Sequence, residues 1–276
     1  MRRGFLLGDA AVTTSRGRRA APNPGSLGDA HEFALPSGCV DASACENALV
    51  VLHGDLDSPK NFLRLALALN LPSTVALALA GPIDASWASE ERGAVMRRWF
   101  ASREEGTTEG ERREQLRASS SRVRDALLKL RDEFGWDLNR VHLLGFSDGG
   151  TVALDVAARM TGRERLGSCV ASCAALLTED ATYDACDEAP TPVMLLAGSK
   201  DDVVPVEAVR RAAEALRRRN PACGAEVKVF DKSHRAVASE PETRALMEFW
   251  SERLHARRAK ASDYGDDVVD LSGDSH

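Results

Sequence analysis

Gly145-Phe146-Ser147-Asp148-Gly149-Gly150 reads G-x-S-x-G-G, and this stretch decides the fold. An apolar run at residues 141–144 precedes it, and a helical stretch of small residues at 151–158 follows it. A serine in this strand–turn–helix setting is typical of a nucleophile elbow, in which a strained turn presents the hydroxyl at the head of a helix. The pattern alone is only moderately specific, because a serine between glycines is often an ordinary turn.

Apolar strands alternate with amphipathic helices along most of the chain, a pattern that predicts a mainly parallel sheet. Together with the strand–turn–helix setting of Ser147, this alternation predicts an α/β-hydrolase fold, doubly wound, with helices on both faces of the sheet and without a large cap domain. The only long irregular segment is residues 81–110. Strands are predicted at residues 48–53, 74–80, 140–145, 168–176, 192–197 and 225–230, and helices at 61–69, 111–134, from 205 onward and at 241–258.

The length of 276 residues suits one α/β domain with additional ends. Residues 1–30, which carry five arginines against two aspartates, are predicted to be a mobile tail, and residues 259–276 an acidic tail. The domain itself is predicted to span residues 31–258.

Composition and charge exclude several classes of function. A net charge of −6 argues against a general nucleic-acid binder, which needs a basic face. No apolar run approaches the ~18 residues of a membrane span, so stable membrane insertion is not expected. The oligomeric state stays open.

The cysteines and the N-terminus indicate a cytoplasmic protein. Asp9 interrupts the apolar residues that follow the first arginines, so no export signal is predicted. The cysteine spacings match neither a zinc site nor a C-x-x-C redox pair, and free thiols are expected. A disulfide between Cys39 and Cys45 is the alternative.

Ser147 needs a base to activate it and an acid to orient that base. In a doubly wound sheet, such groups lie beyond the carboxyl ends of strands. Asp201 and Asp202 follow the predicted strand at 192–197, and His234 follows the strand at 225–230. The order serine, aspartate, histidine is that of an α/β-hydrolase triad.

Acyl transfer also needs donors for the negatively charged oxygen of the transition state. The backbone N–H of Asp148, directly after the serine, is the first candidate. The second lies in the loop after strand 48–53, where Gly54 lets the backbone approach the site. There the N–H of Asp55 is favoured, with Leu56 as the alternative.

Four segments resemble the phospholipase/carboxylesterase family, which includes acyl-protein thioesterases: VVLHGDLDSPKNF, RRWF, VHLLGFSDGG, and AGSKDDVVP followed by KVFDKSH. The resemblance implies a triad of Ser147, Asp201 and His234, with Asp202 as the alternative acid. It also implies oxyanion donors at Asp55 and Asp148, and substrate contacts from Trp99 and Phe100.

The chain departs from the family pattern at three positions. Asp148 stands where glutamine is common, Leu56 where glycine is common, and Ser233 where glycine often precedes the histidine. None of these changes removes a catalytic group, because the oxyanion donors are backbone atoms. The two aspartates do place carboxylates near an anionic transition state.

The predicted function is hydrolysis of a small-molecule carboxylic ester or thioester through an acyl-enzyme on Ser147. Carboxylesterase, lysophospholipase and thioesterase activities all fit, and the chemistry requires no metal and no cofactor. A peptidase or polyester depolymerase with the same triad, or a non-catalytic binding protein of the same fold, are the alternatives.

Overall fold

Continuous apolar runs form the centre of the sheet. Every residue of β2 (Asn47–Leu52), β3 (Thr74–Leu79) and β8 (Val193–Gly198) is buried, as expected for strands covered on both faces. The computed structural model describes residues 19–23, 25–27, 31–37, 39, 41–88, 95–102, 106–177, 184–237 and 239–256. The other strands are β1 (His31–Ala34), β4 (Ile83–Asp84), β5 (Arg97–Arg98), β6 (Val141–Phe146), β7 (Ser168–Ser172) and β9 (Glu226–Phe230).

Within the described ranges, the main sheet has seven strands in the order β1-β3-β2-β6-β7-β8-β9. In this spatial order, every neighbouring pair from β3 through to β9 is parallel, and only β1 runs antiparallel, at the edge beside β3. The mainly parallel, doubly wound sheet predicted from the sequence is thus confirmed, and the described residues contain no cap domain. The helices are α1 (Pro59–Ala68), α2 (Glu109–Asp132), α3 (Ser147–Arg159), α4 (Val206–Arg219) and α5 (Glu240–Ser251).

Two hydrophobic cores cover the two faces of the sheet. Alternate residues of β2 point to opposite sides, so that Val50 and Leu52 join one core and Leu49 and Val51 the other. The first core contains the apolar faces of α2, α3 and α4, and the second contains those of α1 and α5. The strands are therefore held rigidly from both sides, and their carboxyl ends form a fixed edge for the loops.

The structure corrects several predicted elements. The irregular segment at residues 81–110 contains a small antiparallel sheet of β4 and β5 and, from Glu109, the start of α2. The strand predicted at 168–176 ends at Ser172, and the last helix ends at Ser251 rather than near residue 258. Beyond Ser251 the chain tightens into a turn, in which the Arg253 N–H donates to the carbonyl of Trp250, three residues earlier.

Part of the predicted N-terminal tail contacts the domain. The Ala20 N–H donates to the Phe134 carbonyl, and the Trp136 indole donates to the Ala20 carbonyl. Leu27 is buried in the first core. Residues 1–18 and 257–276, which include the predicted acidic tail, lie outside the described residues.

None of the helices that the structure describes is long and apolar enough to cross a membrane. The six cysteines are free thiols. The Cys39 and Cys45 sulfur atoms, considered above as a disulfide, lie 3.5 Å apart.

Candidate active site

The G-x-S-x-G-G turn joins β6 to α3, and its glycines are required by close packing. Ser147 has φ of 50°, a left-handed conformation that is strained for a residue with a side chain. A Cβ on Gly145 would lie 2.3 Å from the carbonyl oxygen of Gly149, and a Cβ on Gly149 would lie 2.2 Å from that of His53. Only glycine fits at these two positions, and the turn therefore projects the Ser147 side chain beyond the sheet.

The structure brings Ser147, His234 and Asp201 into one hydrogen-bonded chain. The Ser147 Oγ lies 3.0 Å from His234 Nε2, and His234 Nδ1 lies 2.9 and 3.0 Å from the two carboxylate oxygens of Asp201. Because the carboxylate can only accept, Nδ1 carries the proton and Nε2 is left to accept from the serine hydroxyl. The three residues follow β6, β9 and β8, which are separate strands with their carboxyl ends at the same edge.

Asp201 is fixed in place and kept ionised by its neighbours. Its side chain is fully buried, and its Oδ1 accepts from the N–H groups of Val203 and Val204 at 3.0 and 2.8 Å. Burial acts to raise the pKa of Asp201, but the hydrogen bonds from Val204 and His234 outweigh it, so the pKa is lowered. Asp202, the alternative acid, is exposed, and the carboxylate that bonds to His234 is that of Asp201.

The loop after β2 passes directly beside Ser147. A Cβ on Gly54, the residue before Asp55, would lie 3.7 Å from the Ser147 Cβ. The Asp148 N–H is among the first of α3 and therefore has no partner within the helix. Both segments that carry the predicted donors thus adjoin Ser147, and the role of the two N–H groups in binding an oxyanion stays a prediction.

His53 fixes the shape of this loop. Its Nδ1 donates to the Gly54 carbonyl at 2.7 Å, while its Nε2 accepts from the Gly81 N–H at 2.9 Å. Burial lowers the pKa of His53, which favours the neutral ring that this pattern of one donor and one acceptor requires.

Arg98, to which no role was assigned from the sequence, neutralises Asp55. Its Nε and Nη2 each donate to one Asp55 carboxylate oxygen at 2.8 Å, a two-pronged ion pair in which the Arg98 side chain is only 6% exposed. Arg98 lies in β5, within a segment predicted to be irregular. The only sequence feature that pointed to it was its place in the RRWF segment, which resembles the family pattern.

The charge of Asp148, the second of the two aspartates, is reduced in a different way from that of Asp55. Burial raises the pKa of Asp148 to about 7, and repulsion from Asp55 adds to this effect, while Arg112 and Arg98 oppose it. Near neutral pH the side chain is therefore partly protonated, and it carries less charge beside the oxyanion site than an ordinary aspartate would.

Trp99 and Phe100, the predicted substrate contacts, are both 1% exposed. The Trp99 indole donates to the His53 carbonyl at 2.8 Å, and Arg112 stacks over the Phe100 ring. This burial favours a supporting role beneath the oxyanion loop, and direct contact with substrate stays a prediction. Much of the surrounding segment, residues 89–94 and 103–105, lies outside the described residues.

One group of side chains in the described part of the chain could in principle hold a metal ion: Cys173, Asp201 and His234, whose ligand atoms lie within 4.8 Å of one another. Asp201 and His234 already bond to each other. Burial raises the pKa of the Cys173 thiol, which donates to the Arg235 carbonyl, whereas metal binding needs the thiolate. The arrangement therefore fits a triad with a structural thiol better than a metal centre.

A strained serine at a strand–helix turn, with an aspartate and a histidine beyond later strands of a parallel sheet, defines the α/β-hydrolase class. The sequence profile of the Phospholipase/Carboxylesterase family matches residues 40–249. The chain belongs to this family, and is thus an α/β-hydrolase of the esterase/thioesterase type. No curated protein sequence matches it.

Similar solved structures share this fold at low sequence identity. Esterase PE8 is 21% identical with a TM-score of 0.65, over 81% of this chain and 98% of its own. Acyl-protein thioesterase 2 of Zea mays is 20% identical with a TM-score of 0.61, over 82% of this chain and 100% of its own. The carboxylesterase of Bacillus cereus is 19% identical with a TM-score of 0.60, over 82% and 94%.

Proposed function

We propose that the protein is a serine hydrolase that cleaves a carboxylic ester or thioester through an acyl-enzyme on Ser147. The observation that carries this proposal is the unbroken hydrogen-bonded chain from Asp201 through His234 to the Ser147 hydroxyl. An unassisted serine hydroxyl is a poor nucleophile at neutral pH, and this chain supplies the base and its orienting acid.

In the first half of the reaction, the Ser147 Oγ attacks the carbonyl carbon while His234 Nε2 takes the hydroxyl proton. The carbonyl oxygen becomes an oxyanion and binds the N–H groups of Asp55 and Asp148. The carbonyl then re-forms as the bond to the alcohol or thiol breaks, and His234 returns its proton to this leaving group. The imidazolium is stabilised throughout by the buried Asp201 carboxylate.

Water completes the cycle by the same route. His234 removes a proton from a water molecule as its oxygen attacks the acyl-enzyme, and the second oxyanion binds the same two N–H groups. Collapse of this intermediate releases the carboxylic acid and returns the proton to the Ser147 oxygen. Each complete turnover therefore consumes one water and leaves the enzyme unchanged.

A fluorophosphonate probe and a short p-nitrophenyl ester test the proposal together. We expect the probe to label Ser147 in the folded protein, and the ester to be hydrolysed by the wild type but not by Ser147→Ala. Ser251→Ala, which removes an exposed hydroxyl from α5, is the matched control and should keep both properties. Equal rates for the wild type and Ser147→Ala would exclude the triad.

The substrate class is decided by a series of esters and thioesters with matched acyl chains of increasing length. A preference within this series separates carboxylesterase, lysophospholipase and thioesterase activity. No hydrolysis of any member, with Ser147 still labelled, would favour the peptidase or depolymerase alternative on the same triad.

A further inference from the structure

Lys232, two residues before His234, is a lysine buried in the loop between β9 and α5. Its side chain is only 3% exposed, whereas lysines are almost never fully buried unless they are paired. The Nζ donates to the carbonyls of Arg235 at 2.9 Å and Ala236 at 2.7 Å. The side chain thus folds back across its own loop and closes it around His234.

The same ammonium group joins this loop to two elements of the fold. It donates to the Ser172 hydroxyl at 3.0 Å, at the end of β7, and it forms an ion pair with Glu242 in the first turn of α5. Ser172 in turn donates to the Ala236 carbonyl. The histidine loop is therefore fixed to the sheet on one side and to a helix on the other.

The backbone of Lys232 holds the loop that carries the catalytic acid. Its carbonyl accepts from the Lys200 N–H at 3.0 Å, one residue before Asp201. A Cβ on Gly198 would lie 2.4 Å from this carbonyl oxygen, so the two loops pack closely at this point. One residue therefore fixes both the acid and the base relative to the sheet.

We propose that Lys232 is a positioning residue, whose buried ammonium holds His234 in line with Asp201 and Ser147. This inference rests on the proposed serine hydrolase function. His234 must keep two hydrogen bonds at once, and a misplacement of about 1 Å in an active site can reduce the rate by about 100-fold. The ammonium directs its three N–H donors and its charge at four acceptors, so that at least one N–H is shared between two of them; no neutral side chain of similar length offers three donors.

A purely structural role for the Lys232–Glu242 pair makes a different prediction. A buried ion pair can often be replaced by apolar residues of similar volume with no loss of stability, whereas removal of one partner is destabilising. If the pair served only the fold, Lys232→Met/Glu242→Leu would restore both stability and turnover. If Lys232 positions His234, the double variant restores stability alone. The carbonyls of Arg235 and Ala236 then keep only their bonds from Cys173 and Ser172, and the ammonium no longer ties the histidine loop together.

The experiment compares Lys232→Met, Lys232→Met/Glu242→Leu and the matched control Lys228→Met, which removes a more exposed lysine from β9. We measure p-nitrophenyl acetate kinetics, thermal unfolding and the low-field proton resonance of the His234 Nδ1–H bonded to Asp201. We expect kcat to fall about 10- to 100-fold in both Lys232 variants, with KM within about twofold, because positioning acts on the chemical step. The low-field resonance should be lost in both and kept in the control.

Wild-type kcat and an unchanged low-field resonance in the double variant would overturn the proposal, even if Lys232→Met alone fails to fold. A wild-type protein in which the probe does not label Ser147 would instead refute the serine hydrolase function. In that case the resonance of the double variant still decides the role of Lys232, since it requires no turnover.

Discussion

Replacing Asp148 with asparagine removes an ionisable group from the first turn of α3 and keeps the size of the side chain. Burial raises the pKa of Asp148 to about 7, with repulsion from Asp55 acting in the same direction. The folded protein thus disfavours the carboxylate form, and asparagine, which has no charge, avoids this cost. We therefore expect Asp148→Asn to stabilise the protein, and to do so in a pH-dependent way.

The pKa rises from 3.8 to about 7, which is about three units, and each unit corresponds to about 1.4 kcal/mol. The upper limit is about 4 kcal/mol, and because Asp148 is only partly buried, we expect about 2–3 kcal/mol after solvent screening. Below the unfolded pKa both states hold the proton and the cost is absent. As pH rises toward 7 the unfolded chain loses its proton first, so wild-type stability falls, and above 7 the cost is complete.

Urea unfolding of wild type and Asp148→Asn across this range measures the effect. The variant should equal the wild type at about pH 4 and exceed it by about 2–3 kcal/mol at about pH 8. Asp125→Asn, at an exposed position of α2, is the matched control. Titration of Asp148 should make the difference in unfolding free energy between Asp148→Asn and the wild type increase with pH. A difference that stays constant with pH would refute the reasoning.

Two further substitutions test how the site is held. Arg98→Met should lower kcat/KM for p-nitrophenyl acetate by about 10- to 100-fold, because it leaves the Asp55 carboxylate unneutralised beside the predicted oxyanion site. Arg98→Lys should not restore kcat/KM, since lysine cannot bind both carboxylate oxygens in the same way. Unchanged kinetics in Arg98→Met would contradict this role of Arg98. Asp201→Asn should lower kcat about 10⁴-fold through the wrong histidine tautomer. Asp202→Asn should leave kcat unchanged. A larger loss of kcat in Asp202→Asn than in Asp201→Asn would instead identify Asp202 as the acid.

The elements that could be predicted from the sequence are those that local pattern determines. A buried strand such as β2 is a continuous apolar run, and α2 repeats its apolar residues at helical spacing from Leu116 to Leu130. The edge strand β1 and the two-residue strands β4 and β5 were not predicted. They are too short for a periodic pattern, and they exist only because a partner strand lies beside them.

The candidate site divides in a similar way. Ser147, Asp201 and His234 each follow a recognisable strand, so topology alone predicts that they lie near one another. Arg98 and Lys232 could not be predicted, because a charged residue in a sequence normally indicates a solvated surface. Each is buried only because it pairs with an acid from another element. Arg98 pairs with Asp55, which is 43 residues away in the sequence, and Lys232 pairs with Glu242, which is 10 residues away.

These buried charges also explain how the chain can differ from its family beside the nucleophile. Asp55 and Asp148 would both oppose an oxyanion if they were fully charged. Arg98 neutralises the first through two hydrogen bonds, and burial favours the protonated form of the second up to about pH 7. The two carboxylates are therefore compatible with acyl transfer near neutral pH, and their effect on the rate should increase as the pH rises and Asp148 ionises.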